Sequence, residues 1–234
     1  MKSENNNDVY VPFIRKSEKG YDIQDDNNII SYVYKGSTFV LKNDEMIEGL
    51  IIKINGNNNI ITIGENNKFI NCYIVIGNND ANIIINENNK FIITKIRCSY
   101  GNNQKFIVGK NNFIQGNFYL DENSSFLLGD SNIFSQEVKV WCSDGHSIID
   151  NNTKKIINKP LLPVVIKNHR WIGYNVSITK NVQLPNNTIV GLASVVTKKF
   201  FEENTVVAGN PAKIVKRNVT WDIRNSYYIE SHKQ

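Results

Sequence analysis

Between residues 166 and 196 the chain places an aliphatic side chain at every sixth position: Ile166, Ile172, Ile178, Leu184, Val190 and Val196. Neither the 3.6-residue period of a helix nor the alternation of a strand produces this spacing. The fifth positions of the same hexads are Arg170, Val176, Val182, Thr188 and Ser194, small or β-branched apart from the first. Six residues that make one flat side of a triangular coil satisfy both patterns. The aliphatic residue points inward onto its equivalent one coil later, and the fifth residue lets the chain turn the corner.

A looser repeat precedes this one. It reads "INGNNNIITIGENNKFI", "IGNNDANIIINENNKFI", "YGNNQKFIVGKNNFI" and "LDENSSFLLGDSNIF". Its corners open at Gly56, Gly77, Gly101 and Asp121, and again at Gly64, Asn86, Gly109 and Gly129, so each unit is strand, corner, strand, corner and a longer third side. Gly and Asn gather at the corners, where left-handed backbone angles cost other residues roughly 1 to 2 kcal/mol. Units that bury their apolar edge only against their neighbours form a solenoid. The predicted fold is therefore all-β, a three-sided parallel β-helix of about 18 residues per turn where the hexads are strict, with irregular longer coils in the N-terminal half. Residues 1–45 lack the repeat and are expected to cap the open end. Residues 46–217 form the solenoid, and 218–234 a tail or short helix.

A chain of 234 residues that is 41% hydrophobic buries a real core. No apolar run of signal-peptide or membrane-span length occurs, so a cytoplasmic protein is expected. Cys72, Cys98 and Cys142 are widely spaced and read as buried reduced thiols, not as a disulfide or zinc framework. The formal charge of +5 hides an asymmetry: residues 151–234 hold 13 Lys and Arg against 4 Asp and Glu, leaving −4 on the first 150. The anion-attracting surface is accordingly expected in the C-terminal third. Its cations are neither on a helical pattern nor interleaved with aromatics, which favours a phosphorylated small molecule over nucleic acid.

The period fails at "WCSDGHSIIDNNTKKIINKPLLPVV", which holds His146. Such a break is where a loop is inserted without disturbing the core. Together with "WIGYNVSITKNVQLPNNTIVGLASVVTKKF" and "VVAGNPAKIVKRNVTW", the upstream "SDGH" resembles the hexapeptide-repeat acyltransferases of left-handed β-helix fold. The loop after His146 and the "NVTW" ending are most similar to the enzymes that O-acetylate bacterial capsule polysaccharides and sialic acid.

What the resemblance implies can be placed residue by residue. Its catalytic histidine stands about 25 residues before a "WIG" corner, as His146 stands before Trp171. An imidazole, with an ordinary pKa of about 6.5, accepts the proton of a sugar hydroxyl as that oxygen attacks the thioester of acetyl-CoA. Asp144 either orients the imidazole or stabilises the turn. Trp171, at an outward hexad position, is a stacking platform for a sugar ring or the pantetheine arm, or else packs at a subunit seam, since the family's active sites lie between the subunits of a homotrimer. Gly173 and Tyr174 would line the pantetheine end, Leu192 and Ala193 the arm, Thr197 and Lys198 the way to the adenine, and Lys213 and Lys216 the phosphates. With only three scattered histidines, no metal site is expected. His169 is read as structural or as a second substrate contact, His232 as a solvated tail residue, and Trp141 and Trp221 as packing.

Two departures stand out. Arg170 replaces a small corner residue and either distorts that corner or binds an anion, and the "TKKFFEEN" link is one residue longer than in the sugar acetyltransferases. The expected function is acetyl-CoA-dependent O-acetylation of a cell-surface saccharide, with sialic acid or its polymer as a candidate acceptor. Three alternatives stay open: a xenobiotic or amino-sugar acetyltransferase, a non-catalytic β-helix used for binding or structure, and an enzyme with Cys142 as acyl-accepting nucleophile.

Overall fold

The computed structural model describes residues 14–16, 21–23, 27–42 and 44–231. Its described residues form a left-handed parallel β-helix of about seven turns, whose walls are three sheets of eight strands each. Sheet I carries Leu50–Ile54, Cys72–Ile76, Lys95–Ser99, Gly116–Asp121, Val138–Trp141, Ser177–Ile178 and Val195–Val196 after a first strand at Asp22–Ile23. Sheet II runs from Ile29–Tyr34 through Ile60–Ile63 to Gln183–Leu184, and sheet III from Lys68–Ile70 through Trp171–Ile172 to Thr205–Gly209.

All six aliphatic residues of the hexad run are buried, and so are all five fifth-position residues. Val140, Ile178 and Val196 stack on sheet I, Leu128, Ile166 and Leu184 on sheet II, and Phe134, Ile172 and Val190 on sheet III. The earlier coils are wider. Tyr73, Lys95, Asn117 and Lys139 are partners in turn along sheet I, a step of 22 residues each time. Phenylalanines fill the extra space, with Phe118 lying 5.2, 4.9 and 5.9 Å from the rings of Phe106, Phe126 and Phe134.

The long third side of the sequence repeat is two strands, not one. Left-handed residues at Asn71 (φ 53°) and Ile93 (φ 47°) fold it between sheets III and I. The doubled asparagines have divided roles. The first of each pair, such as Asn66, Asn88 and Asn111, takes the left-handed corner, and the second turns its side chain inward. Asn67, Asn89, Asn112 and Asn132 thus form a buried column in which each Oδ1 accepts the next residue's backbone N–H at 2.8–3.0 Å. These bonds satisfy amides that would otherwise be buried at a cost of roughly 1–3 kcal/mol each.

The column ends at Arg170, whose N–H donates to Asn132 Oδ1 at 2.9 Å. Its side chain is 0% exposed and donates to the Asn168 carbonyl and, at 2.6 Å, to the Leu184 carbonyl. Arg170 therefore faces the interior and offers no surface to an anion, contrary to the binding role considered from the sequence. Burial pushes its guanidinium down to about 9, with the Glu203 charge acting the other way.

Parallel pairing begins earlier than residue 46, because Ile29–Tyr34 adds to sheet II beside Ile60–Ile63. Antiparallel strands close the ends: Ser37–Val40 on Ile29–Tyr34, Ile14–Lys16 on Glu45–Ile47, and Ala212–Arg217 on Thr205–Gly209. The tail ends in a short helix, Ser226–Ser231, and His232 lies outside the described residues. Among the described residues no helix is long and apolar enough to cross a membrane.

Candidate active site

The chain leaves sheet I after Trp141 and returns on sheet II at Val164, and the coil containing this excursion takes 38 residues from Lys139 to its partner Ser177 against 18 from Ser177 to Val195. The excursion opens with a tight turn. Ser143 Oγ accepts the Gly145 N–H at 3.0 Å, and Gly145 sits at φ 73° with open space around it. His146 follows, exposed at the edge between sheets I and II. Beyond it a hairpin projects, joined at Ile149 and Ile156 and turned by Asp150, which takes the N–H groups of Asn152 and Thr153.

Two groups tie this turn down. Asn158 donates to the His146 carbonyl at 2.8 Å and to Asp144 Oδ2 at 2.7 Å, and accepts the Ile148 N–H at 2.8 Å. Lys180, one coil on, pairs with the same Asp144 oxygen. Burial pushes the Asp144 carboxyl up, but the hydrogen bonds from Lys180 and Asn158 and the Lys180 charge outweigh it and hold it below the usual carboxylate range. Asp144 is thus engaged with the turn and the neighbouring coil. Neither Asn158 nor Lys180 carries a motif that marks it in the sequence.

Cys142 is fully enclosed, and burial pushes its thiol well up. It has neither the access nor the thiolate character of a nucleophile, which removes the Cys142 alternative. Cys72 and Cys98 are likewise buried and free.

The remaining expected site residues lie elsewhere on the prism. Trp171 projects from sheet III, 44% exposed, between Ile133 and Ile189. With residues 221–226 it borders a cavity of about 400 Å³ that does not include His146. Gly173 is buried, and a Cβ there would stand 2.8 Å from Leu192 N and Val190 O, so the coils require glycine to stack. Tyr174, Leu192 and Ala193 are exposed at the edge between sheets III and I, Ala193 in a left-handed conformation and donating to the Tyr174 carbonyl at 2.8 Å. Thr197 and Lys198 are exposed at the I–II edge, following the last strand of sheet I. Lys213 and Lys216 are exposed on the closing strand of sheet III.

One chain therefore separates the histidine from Tyr174 by the width of sheet I, and Trp171 projects from sheet III, the wall opposite the histidine's edge. His169 and Trp221 tie the tail to the coil: the rings stack at 4.5 Å, Trp221 Nε1 donates to the His169 carbonyl at 3.0 Å, and His169 Nδ1 meets Asn187 Oδ1 at 2.9 Å. No cluster of three His, Cys, Asp or Glu occurs among the described residues.

No family-level sequence profile matches the chain. It is 33% identical over 118 residues to a polysialic acid O-acetyltransferase of Escherichia coli O1:K1, covering 50% of this chain and 38% of the relative. It is 27% identical over 135 residues to the galactoside O-acetyltransferase of Escherichia coli K12, covering 58% and 63%. The chain thus spans less than two thirds of the length of either. Among solved structures, the polysialic acid O-acetyltransferase OatWY superposes with a TM-score of 0.73 at 26% identity, over 91% of this chain and 97% of that one. The polySia-specific acetyltransferase NeuO gives 0.65 at 25%, over 81% and 89%.

Proposed function

We propose that this chain, which belongs to the hexapeptide-repeat acetyltransferases of left-handed β-helix fold, is an acetyl-CoA-dependent O-acetyltransferase acting on a hydroxyl of a cell-surface saccharide, with a sialic acid polymer as the first acceptor to test. The reading is supported above all by the placement of His146. It is an exposed imidazole on a turn held to the solenoid by Asn158 and by the Asp144–Lys180 pair.

In this reading one nitrogen of the neutral imidazole takes the acceptor's hydroxyl proton while that oxygen adds to the thioester carbonyl. The tetrahedral intermediate then expels the coenzyme's thiolate, which takes the proton back from the imidazolium, and no covalent enzyme intermediate is needed. Positioning is worth as much as the base, so the clasp on the turn is part of the chemistry. Asp144 acts as a positioning residue through Lys180 and Asn158.

In this reading a second copy in a homotrimer completes the site; the reading is supported by the separation of His146 from Tyr174, across sheet I, and from Trp171, on the opposite wall. The hairpin beyond His146 suits that contact, since Ile148, Ile149, Ile157 and Leu161 on and beside it are all more than half exposed. The edge formed by Gly173, Tyr174, Leu192 and Ala193 would hold the pantetheine arm, Thr197 and Lys198 the approach to the adenine, and Lys213 and Lys216 the phosphates. Trp171 would serve as platform for the sugar or the arm.

The test is His146→Ala with acetyl-CoA and polysialic acid, following thiol release and product mass. Loss of about 10² to 10⁴ in kcat with unchanged Tm is expected. Full activity in the variant rejects His146 as the base, and absence of thiol release by the native protein with any saccharide would leave a non-catalytic binding protein.

A further inference from the structure

The three walls differ in what they turn outward. Sheet II presents Ile84, Ile107 and Leu127 in register, and sheet III presents Phe113, Ile133 and Ile189 around Trp171. Sheet I is basic and aromatic instead. One of its outward columns holds Tyr73, Lys95 and Lys139, the next Arg97, Tyr119 and Trp141. From Leu50–Ile54 to Val138–Trp141 its strands contain one carboxylate, Asp121. That side chain is 4% exposed and meets Arg97 Nη2 at 3.4 Å. Two acids flank these strands: Glu122, at the corner next to Asp121, whose charge acts on that carboxyl, and Glu137, which reaches Lys139 only at 3.9 Å. A run of positive charge therefore follows the solenoid axis on a part of the chain whose net charge is negative.

The aromatic members of this wall form a continuous stack. The Arg97 guanidinium lies 5.0 Å from the centre of the Tyr119 ring, and that ring lies 4.0 Å from Trp141 at an interplanar angle of 16°. Trp141 is 40% exposed. The pairing of Val140 with Ile178 puts the short Thr179 next in its column. The basic and aromatic part of the wall ends at the proposed base: Trp141 closes its strand five residues before His146, and the two strands of sheet I beyond it are Ser177–Ile178 and Val195–Val196. The coils that would carry the coenzyme, 171–216, lie on the far side of the His146 turn.

We propose that sheet I is the acceptor track, on which an acidic polysaccharide lies along the solenoid axis with one ring stacked on Trp141 and its carboxylates facing Arg97, Lys139 and Lys95. Successive strands stand about 4.8 Å apart, and Lys95 and Lys139 are two strands apart with Asn117 between them, so the cations recur about every 10 Å along the axis, on the scale of two sugar residues. The stacked ring sits beside His146, and the chain leads away over the N-terminal coils while acetyl-CoA enters over the C-terminal ones. Its link to transfer rests on the reading of His146 as the base. The ionic part of the grip weakens with salt, and the stacked part does not.

The experiment measures direct binding of the full chain to polysialic acid, polygalacturonate and neutral dextran at low and high salt. It compares native protein with the charge-reversed Lys95→Glu/Lys139→Glu double variant and with Trp141→Ala, checking each for unchanged Tm. Native protein is expected to bind an acidic polymer and not dextran, and both variants to bind it at least tenfold more weakly. In transfer assays KM for the polymer should rise about tenfold and KM for acetyl-CoA stay constant. Equal binding by native and variant proteins, equal affinity for dextran, or no binding to either acidic polymer overturns the track. Polymer binding that the double variant loses, in a protein that never releases CoA, sinks the transferase reading and leaves the track. Transfer with an unchanged polymer KM does the reverse.

Discussion

Asp144 and Lys180, 36 residues apart, pair across successive coils and close the base of the loop that carries His146. The pair is partly exposed, so its contribution to global stability is small, and its value lies in fixing one turn.

Asp144→Asn and Lys180→Met should therefore each lower kcat by about tenfold, with Tm nearly unchanged and with the double variant no worse than either alone. The Asp144 carboxyl is depressed in the folded protein, so the clasp is present above the ordinary carboxylate pKa of about 3.9 and is lost as pH falls through the lower folded value. The acid limb of kcat should move upward in pH in Lys180→Met. Additive losses in the double variant would show that the two groups act separately.

Arg170 is a charge enclosed by the coils, with Nε lacking a hydrogen-bond partner. Replacing such a group by an apolar one of similar length is often neutral or stabilising. Arg170→Met should keep or raise Tm and leave acceptor KM within twofold, whereas Arg170→Ala should cost about 3 kcal/mol by opening a cavity. A rise in acceptor KM in Arg170→Met at constant Tm would restore an anion-binding role.

Asn112 sits mid-column, donating twice to Asn89 Oδ1 at 2.9 Å and once to the Gly129 carbonyl at 3.0 Å, and accepting twice from Asn132. Asn112→Ala leaves several buried groups unpaired and should lower unfolding free energy by about 3 kcal/mol in denaturant titration. A cost below about 0.5 kcal/mol would mean that water replaces the side chain.

Cys142→Ala should retain kcat within twofold, and the native thiol should resist alkylation until the protein unfolds. Rapid labelling in the folded state would show an opening at the start of the His146 loop.

The hexad run announces the fold because each wall there is only two residues long, leaving one inward aliphatic residue per side. Asn at the corners is legible for the same reason, since the left-handed angle is local. The inward column of second asparagines is not, because Asn66 and Asn67 are chemically alike and only stacking decides which one turns in. Ile93 at a left-handed corner contradicts its β-branched type. The position of His146 follows from the break in period, but its restraint by Asn158 and Lys180 depends on how the hairpin folds back. Counting charge along the chain points to the C-terminal third. The cations of sheet I converge only because a step of 22 residues brings Lys95 and Lys139 onto one wall, and no segment average shows it.

The wide coils stack as repeats in one dimension, each touching only its neighbours. Adding or deleting one ahead of Val138 would lengthen or shorten the acceptor wall by about 4.8 Å and leave the histidine where it is. If sheet I is the acceptor track proposed above, gain or loss of coils tunes preference for short or long oligomers in whole rungs and leaves the His146 loop unchanged.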